Sequence, residues 1–476
     1  MTLPDIFINR MRLLLGDKTY SEFEQSFSEI PPVSIRYNPN KWQKEKNGVK
    51  VPWCESGYYL PSRPTFTFDP SFHAGTYYVQ EASSMFLEQF LNTYIKHPVV
   101  ALDLCAAPGG KSTLTISKLP AGSVLVANEI IKLRSQKLAE NIIKWGNPNV
   151  IVTNNQASDF SYLNEFFDLI ICDVPCSGEG MFRKDAQAIE EWSSNNVDIC
   201  QNRQREIIND IWRSLKPGGL LVYSTCTFNT LENEENIEWI VKTFGAEVLP
   251  CSPDEKWNIT GNMCGTGHEV YRFLPHKTKG EGFFICALRK KNDESLLSES
   301  SCQTLCTVKS KNNTKKGKNL KNDKKGIVNI PKELKTWIHE SDSFSFFSNA
   351  TSIYAFPKSR IDILELIKEG LNVIHSGITI ANIKGKNNIP GHSLAMSTYL
   401  NRKAFQSVEI DYSQAIAYLR TEAIVLPQET PTGIILLTYN DTPLGFAKNI
   451  GNRANNLYPT EWRIRSGHIP ENVICV

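Results

Sequence analysis

Two short segments carry the residue types best suited to chemistry: Asp173-Val-Pro-Cys176-Ser-Gly-Glu-Gly and Ser224-Thr-Cys226-Thr-Phe. Each closes a short apolar run, Leu169–Asp173 and Leu220–Ser224, that reads as a strand. In a parallel sheet the loops after such strands emerge on one edge, so a carboxylate and two thiols converge there. A thiolate is a nucleophile, whereas a buried cysteine is usually an inert small hydrophobe. Two cysteines at strand ends, one beside Asp-x-Pro, favour the reactive reading.

A third segment, Asp103-Leu-Cys-Ala-Ala-Pro-Gly-Gly-Lys-Ser-Thr, follows the run Val99–Leu104. Gly109 and Gly110 permit a tight turn with close backbone approach, and the following helix N-terminus offers free N–H groups to a ligand. A phosphate loop aligned on Gly110-Lys111-Ser112 needs glycine at position 105, where Cys105 stands, so nucleotide hydrolysis is excluded on residue identity. The next run ends in Ala127-Asn128-Glu129, which puts an acid where nucleotide-binding folds hold a ribose hydroxyl. Glu129 therefore suits a nucleoside-containing cofactor; its plainer alternative is a helix-capping carboxylate.

The elements that must position these loops alternate. Strand-like runs at Val99–Leu104, Ser123–Asn128, Val150–Thr153, Leu169–Asp173 and Leu220–Ser224 are separated by helical patterns at Ser112–Leu119, Leu133–Trp145 and Ile199–Leu215, the last broken by Lys216-Pro-Gly-Gly. This order predicts an α/β domain, a parallel sheet with helices on both faces, followed by the helix Glu232–Phe244 and an antiparallel strand Phe283–Leu288 at or near the edge. The first 97 residues, with a helical start at Phe7–Leu15 and Pro- and aromatic-rich material, read as a smaller unit packed on that sheet. Between Lys309 and Lys325 lie eight lysines opposed only by Asp323: a solvated tether, which in a sharper reading also touches phosphate. Beyond it, Ser343–Ile363, Gly433–Tyr439 and Leu444–Lys448 predict a compact region containing strands.

At 476 residues with 41% hydrophobic and 21% charged composition, disordered, collagen-like and coiled-coil chains are excluded. The net charge of +2 announces no nucleic-acid partner, which must be sought in local clusters. The apolar runs are far short of the roughly 20 residues a membrane span needs. The start, Met1-Thr-Leu-Pro-Asp-Ile-Phe, lacks the pattern of a secretory signal, so the cytoplasm is expected. Twelve cysteines without any CxxC support neither a disulfide scaffold nor a metal site.

The three loops, in this order and spacing, resemble those of the Sun-type S-adenosylmethionine-dependent RNA cytosine-5 methyltransferases. The matching motifs are Leu104-Cys-Ala-Ala-Pro-Gly-Gly-Lys111, Asp173-Val-Pro-Cys-Ser-Gly-Glu-Gly180 and Ser224-Thr-Cys-Thr-Phe228, within a span from Tyr77 to about Leu288. Phe182-Arg-Lys-Asp185 and the C-terminal extension resemble the branch that acts on bacterial ribosomal RNA. The resemblance implies a Rossmann-like methyltransferase sheet with a small N-terminal α+β RNA-binding unit and a C-terminal β-rich, PUA-like region. It divides the chain into residues 1–97, 98–290, a linker at 291–326, and 327–476.

It also implies roles. Cys226 would add to C6 of cytosine, Cys176 would assist product release, and Asp173 would hold the N3 or amino edge of the base. S-adenosylmethionine would contact Ala106, Ala107, Pro108, Gly109, Gly110, Lys111, Glu129 and Asp173, with Gln156 near the adenine. Lys111 is otherwise a helix-end surface lysine. At Gln156 the chain departs from the family, which often has an acid there; here acid is reached only at Asp159. Arg36, Arg183 and Lys184 are candidate RNA contacts, against an ordinary reading as solvated charge, and Lys448 and Arg453 are weaker phosphate donors. The partner expected is ribosomal RNA, free or in an assembled small subunit, with no metal and no membrane, and the protein a monomer. The alternatives are transfer RNA or large-subunit RNA as substrate, or a non-catalytic assembly factor.

Overall fold

The computed structural model describes residues 2–42, 44–292, 330–466, 473 and 475–476. The lysine-rich stretch 309–325 lies outside the described residues.

The parallel strands form where expected: β1 (Val100–Asp103), β2 (Val124–Asn128), β3 (Val150–Thr153), β4 (Phe167–Asp173) and β5 (Leu215–Thr225). They lie side by side in the order β3-β2-β1-β4-β5. Each is an apolar run because both of its faces are covered. In β4, Leu169 and Ile171 join one core while Ile170 and Cys172 join the other; in β5, Leu220 and Val222 oppose Leu221 and Tyr223 in the same way. Helices α1 (Gly110–Lys118) and α2 (Lys132–Trp145), with Leu87–Tyr94, cover the first face through Leu114, Leu138, Ile142 and Phe90. The second face is covered by α3 (Ser194–Trp212) and α4 (Glu234–Phe244), through Ile208, Ile211, Ile237 and Ile240.

Strands β6 (Glu247–Leu249), β7 (Tyr271–Phe273) and β8 (Phe283–Arg289) extend the sheet antiparallel beyond β5, β8 pairing with β5, β6 and β7. Two features depart from the sequence reading. Lys216-Pro-Gly-Gly interrupts the start of β5 rather than only ending α3: Phe167 pairs with Leu215 but Leu169 already with Leu220, so the extra residues bulge, where proline's missing N–H is tolerated. More consequentially, β9 (Val373–Ser376), from beyond the lysine-rich stretch, pairs antiparallel with β3 and covers the far edge of the sheet.

The N-terminal unit has helices Asp5–Leu15 and Asp17–Ser26 and a four-stranded sheet built from Val33–Tyr37, Val49–Lys50, Gly57–Leu60 and Tyr77–Val79. The C-terminal region holds one four-stranded sheet over residues 344–390 and another formed by Gln406–Glu409, Gly433–Tyr439, Thr442–Asn449 and Ala454–Asn456. Among the described residues no helix is long and apolar enough to cross a membrane.

Candidate active site

Between β1 and β4 the strand order reverses, which opens a crevice at their carboxyl ends. β1 delivers Asp103 there, β4 Asp173, and the loops after β4 and β5 the two cysteines. Cys176 Sγ and Cys226 Sγ lie 3.3 Å apart, and the Cys226 N–H donates to Cys176 Sγ at 3.4 Å. Both are free thiols, partly accessible. The hydrogen bond to Cys226, reinforced by burial, pushes the Cys176 pKa well above the ordinary thiol value, so Cys176 keeps its proton at neutral pH.

Two buried glutamates bolt these loops together. Glu232 accepts from Ser177 N–H at 2.9 Å, Ser177 Oγ at 2.5 Å, Gln204 Nε2 at 2.7 Å and Asn229 Nδ2 at 2.7 Å. Glu179, on the Cys176 loop, accepts from the N–H groups of Phe228 and Asn229 at 2.8 and 2.9 Å, just past Cys226. Gly180 completes the clamp by donating its N–H to the Cys226 carbonyl at 2.9 Å; a Cβ at Gly180 would stand 2.8 Å from that oxygen. The sulfur pair is thus set by a fully bonded polar network rather than by loop chance.

Asp173 is held at both oxygens: Oδ1 accepts from Ser224 Oγ at 2.7 Å and Oδ2 pairs with Lys111 Nζ at 2.9 Å. Burial pulls the Lys111 pKa down, but Asp173 outweighs it and the ammonium is held above its ordinary value. Lys111 also stands 4.9 Å from the Phe283 ring centroid.

A cleft of about 170 Å³ runs from this point along the β1 loop. Tyr78, Gln80, Glu81 and Ser84 of the N-terminal unit form one wall; Asp103, Ala106, Ala107, Pro108, Gly110, Lys111 and Asp173 form the other. Gly109 lies behind the loop at φ +115°, where a Cβ would come within 3.3 Å of Leu138. Asp103 is fully buried; its Oδ2 accepts from Ser112 at 2.6 Å while Oδ1 has no partner. Burial lifts its pKa to about 7. An orphaned carboxylate oxygen beside a glycine turn and a helix N-terminus fits a cofactor with a cationic end.

Glu129, outside the cleft wall, is buried beside the loop: it accepts from Ile131 N–H at 2.9 Å and pairs with Arg134 at 3.5 Å, and Arg134 in turn donates to the Ala107 carbonyl at 3.0 Å. Gln156 is exposed and caps the turn Ala157–Tyr162 in a reciprocal pair with Asp159, so the structure does not bring it to the cleft.

Three stretches of the chain match family descriptions: residues 94–289 "16S rRNA methyltransferase RsmB/F", residues 3–82 the N-terminal domain of 16S rRNA methyltransferase RsmF, and residues 405–464 the methyltransferase RsmF PUA domain. The ribosomal RNA small subunit methyltransferase F of Escherichia coli O9:H4 (strain HS) is 30% identical over 493 residues, covering 98% of this chain and 97% of that one. This chain belongs to the ribosomal RNA small subunit methyltransferase F family. The protein of the same name from Vibrio cholerae serotype O1 (strain M66-2) is 28% identical, covering 97% and 98% of the two chains. Among solved structures, a methyltransferase homolog from Pyrococcus horikoshii is 29% identical with a TM-score of 0.52, over 60% of this chain and 95% of that one. NSun6 from the same organism, solved with SFG, shares the fold at 23% identity and a TM-score of 0.53, over 61% and 99% of the two chains.

As a methyltransferase F family member the chain has a Rossmann-like sheet and a PUA domain, as its motifs implied. The cationic residues expected at the RNA border are placed differently. Arg36 is buried, 1% exposed, and bonded inside the protein. Arg183 is spent on Glu281 at 2.7 Å and on the carbonyls of Ser26 and Gly280; Lys184 shares Glu281 at 3.2 Å and stays partly exposed. Of these three, Lys184 alone keeps an accessible ammonium. Asp103, Gln80 and Glu232 were not singled out from the sequence. Asp103 had a signal, an acid closing a wholly buried strand; Gln80 and Glu232 are tied to the site through partners distant in sequence, Arg36 for Gln80 and Ser177 and Gln204 for Glu232. No group of residues able to hold a metal occurs among the described residues.

Proposed function

We propose that this chain transfers a methyl group from S-adenosylmethionine to C5 of a cytosine in small-subunit (16S) ribosomal RNA. The observation that carries the reading is the Cys176–Cys226 pair, 3.3 Å apart, next to an Asp173 held on Lys111 and opening on the cleft. The relatives' names support the substrate, and the PUA domain supports RNA binding.

When bound, S-adenosylmethionine supplies an electrophilic methyl group. The residues fitted to hold it are those of the β1 loop, with Asp103 Oδ1 toward its cationic end and Glu129 behind. Cytosine C5 is a poor nucleophile until the Cys226 thiol gives up its proton to solvent and Sγ adds to C6, which moves the C5=C6 electron pair toward C5 while N3 takes up one proton from solvent in exchange. Asp173 accepts hydrogen bonds from the protonated N3 and 4-amino edge, whereas uracil offers a carbonyl oxygen at C4 and no positive charge there. After methylation the C5 proton passes to solvent, its electrons re-form C5=C6, the S–C6 pair returns to Cys226 Sγ, and N3 gives back its proton. Cys176, holding its proton beside Cys226 Sγ, is placed to serve the departing sulfur.

The test is to incubate Cys176→Ala protein with ribosomal RNA and S-adenosylmethionine. A protein–RNA adduct that survives denaturation and vanishes in the Cys176→Ala, Cys226→Ala double variant is expected, and sequencing the trapped RNA locates the cytosine. Absence of any adduct on free RNA and on assembled subunits, with no methyl transfer by the unaltered protein, refutes the reading and favours a non-catalytic assembly role.

A further inference from the structure

Arg36 is among the largest fully buried side chains of the protein and forms no ion pair among the described residues. It comes from the N-terminal sheet, yet its guanidinium ends in the methyltransferase sheet's territory. Nε donates to Gln80 Oε1 at 2.9 Å; Nη2 donates to Thr113 Oγ1 at 2.6 Å and to the Gly110 carbonyl at 3.3 Å. The guanidinium carbon lies 4.5 Å from the Trp145 ring centroid, at the end of α2. Nη1 is buried without a partner. Burial lowers the Arg36 pKa only to about 10, so the group is charged at neutral pH.

Burying an unpaired cation is costly, and its contacts show where the return lies. Gln80 and Gly110, one from each unit, both line the cleft beside the β1 loop and pack against each other. Gln80 is itself oriented by a second bond, Nε2 to Ser84 Oγ at 3.1 Å, and Ser84 also lines the cleft. Thr113 Oγ1, in turn, sits within reach of the Gly109 carbonyl at 2.8 Å, so one guanidinium fixes the first turn of α1 and the facing wall together.

We propose that Arg36 is a positioning residue for the cofactor cleft, a strut that sets the distance between the N-terminal wall and the first turn of α1, and not an RNA contact. The inference rests on the S-adenosylmethionine reading given above. It makes cofactor affinity depend on a residue of the N-terminal unit, outside the methyltransferase sheet.

Full-length Arg36→Met, Arg36→Lys and Thr113→Val proteins test this, each measured for KM toward S-adenosylmethionine and toward RNA separately and for Tm. Losing a charge-assisted strut is expected to raise the cofactor KM about tenfold in Arg36→Met, with the RNA KM within about twofold. Arg36→Lys keeps the charge but not the fork and should fall between. Thr113→Val removes the shortest of the Arg36 bonds together with the hydroxyl's own bonds to the Gly109 and Gly110 carbonyls; about a threefold rise is expected, and Thr113→Ser, which keeps the hydroxyl, should restore the cofactor KM, which keeps the test decisive if Arg36→Met does not fold. An RNA KM that rises while the cofactor KM stays put, or a lowered Tm with both KM values unchanged, overturns the strut. Unaltered protein that binds no S-adenosylmethionine sinks the function reading and the strut with it; unaltered protein that binds, beside variants that bind equally well, sinks the strut alone.

Discussion

Asp103 faces the cleft with one oxygen unpartnered, and burial lifts its pKa to about 7 from the ordinary 3.8. In the folded, cofactor-free protein it therefore stays protonated between about pH 4 and 7, where the unfolded chain has already released the proton. Its contribution to stability falls as pH rises through that window and is flat above it. Cofactor binding runs the other way, because a cationic ligand selects the carboxylate. Affinity for S-adenosylmethionine, measured by calorimetry, is expected to weaken as pH drops below about 7, and Asp103→Asn should bind weakly at every pH without that slope. A slope that survives Asp103→Asn would assign it to another group. Sequence showed this residue only as part of a motif, because nothing in Asp103-Leu-Cys tells which of two carboxylate oxygens is left unbonded. The same limit explains Arg36: a lone arginine on a short strand reads as solvated charge, and its hydrogen-bond partners lie 44 to 77 positions away.

At the scale of elements, the clamp between the two cysteine loops turns on a close approach of backbones. Gly180 is replaceable only if the Cys226 carbonyl moves, since a Cβ would stand 2.8 Å from it. Gly180→Ala is expected to cost about 1–3 kcal/mol in stability, as overpacking does, and about a hundredfold in methyl transfer, because a shift near 1 Å separates groups that act together. Denaturant unfolding beside single-turnover assays measures both; equal, small losses in each would show that the loops adjust freely. The strands that hold these loops were legible from sequence, since an apolar run closed by a chemically distinctive residue repeats at each of them. β9 was not. Val373–Ser376 is only four residues long, and its partner Thr153 lies more than two hundred positions earlier, so no local pattern reports the pairing. In sequence the bulge at Lys216-Pro-Gly-Gly reads as punctuation, because a proline argues against strand until its ladder position is known.

The molecule as a whole is knit across its lysine-rich stretch. β9 lies on the open edge of β3, and the helix Ile361–Gly370 contributes Ile363, Leu364 and Ile367 to the same core as α3 and α4. On the other side Tyr412 donates to the Phe68 carbonyl at 3.0 Å, tying the PUA domain to the N-terminal unit. A chain stopped at residue 292 would bare the β3 edge and that apolar surface, and is expected to aggregate, as light scattering during purification would show. The shared sheet thus makes the covalent link between the halves dispensable in principle. Co-expressed as two polypeptides, 1–292 and 330–476 should find each other, co-purify as a one-to-one pair and behave as a split enzyme, with peptide continuity replaced by strand pairing.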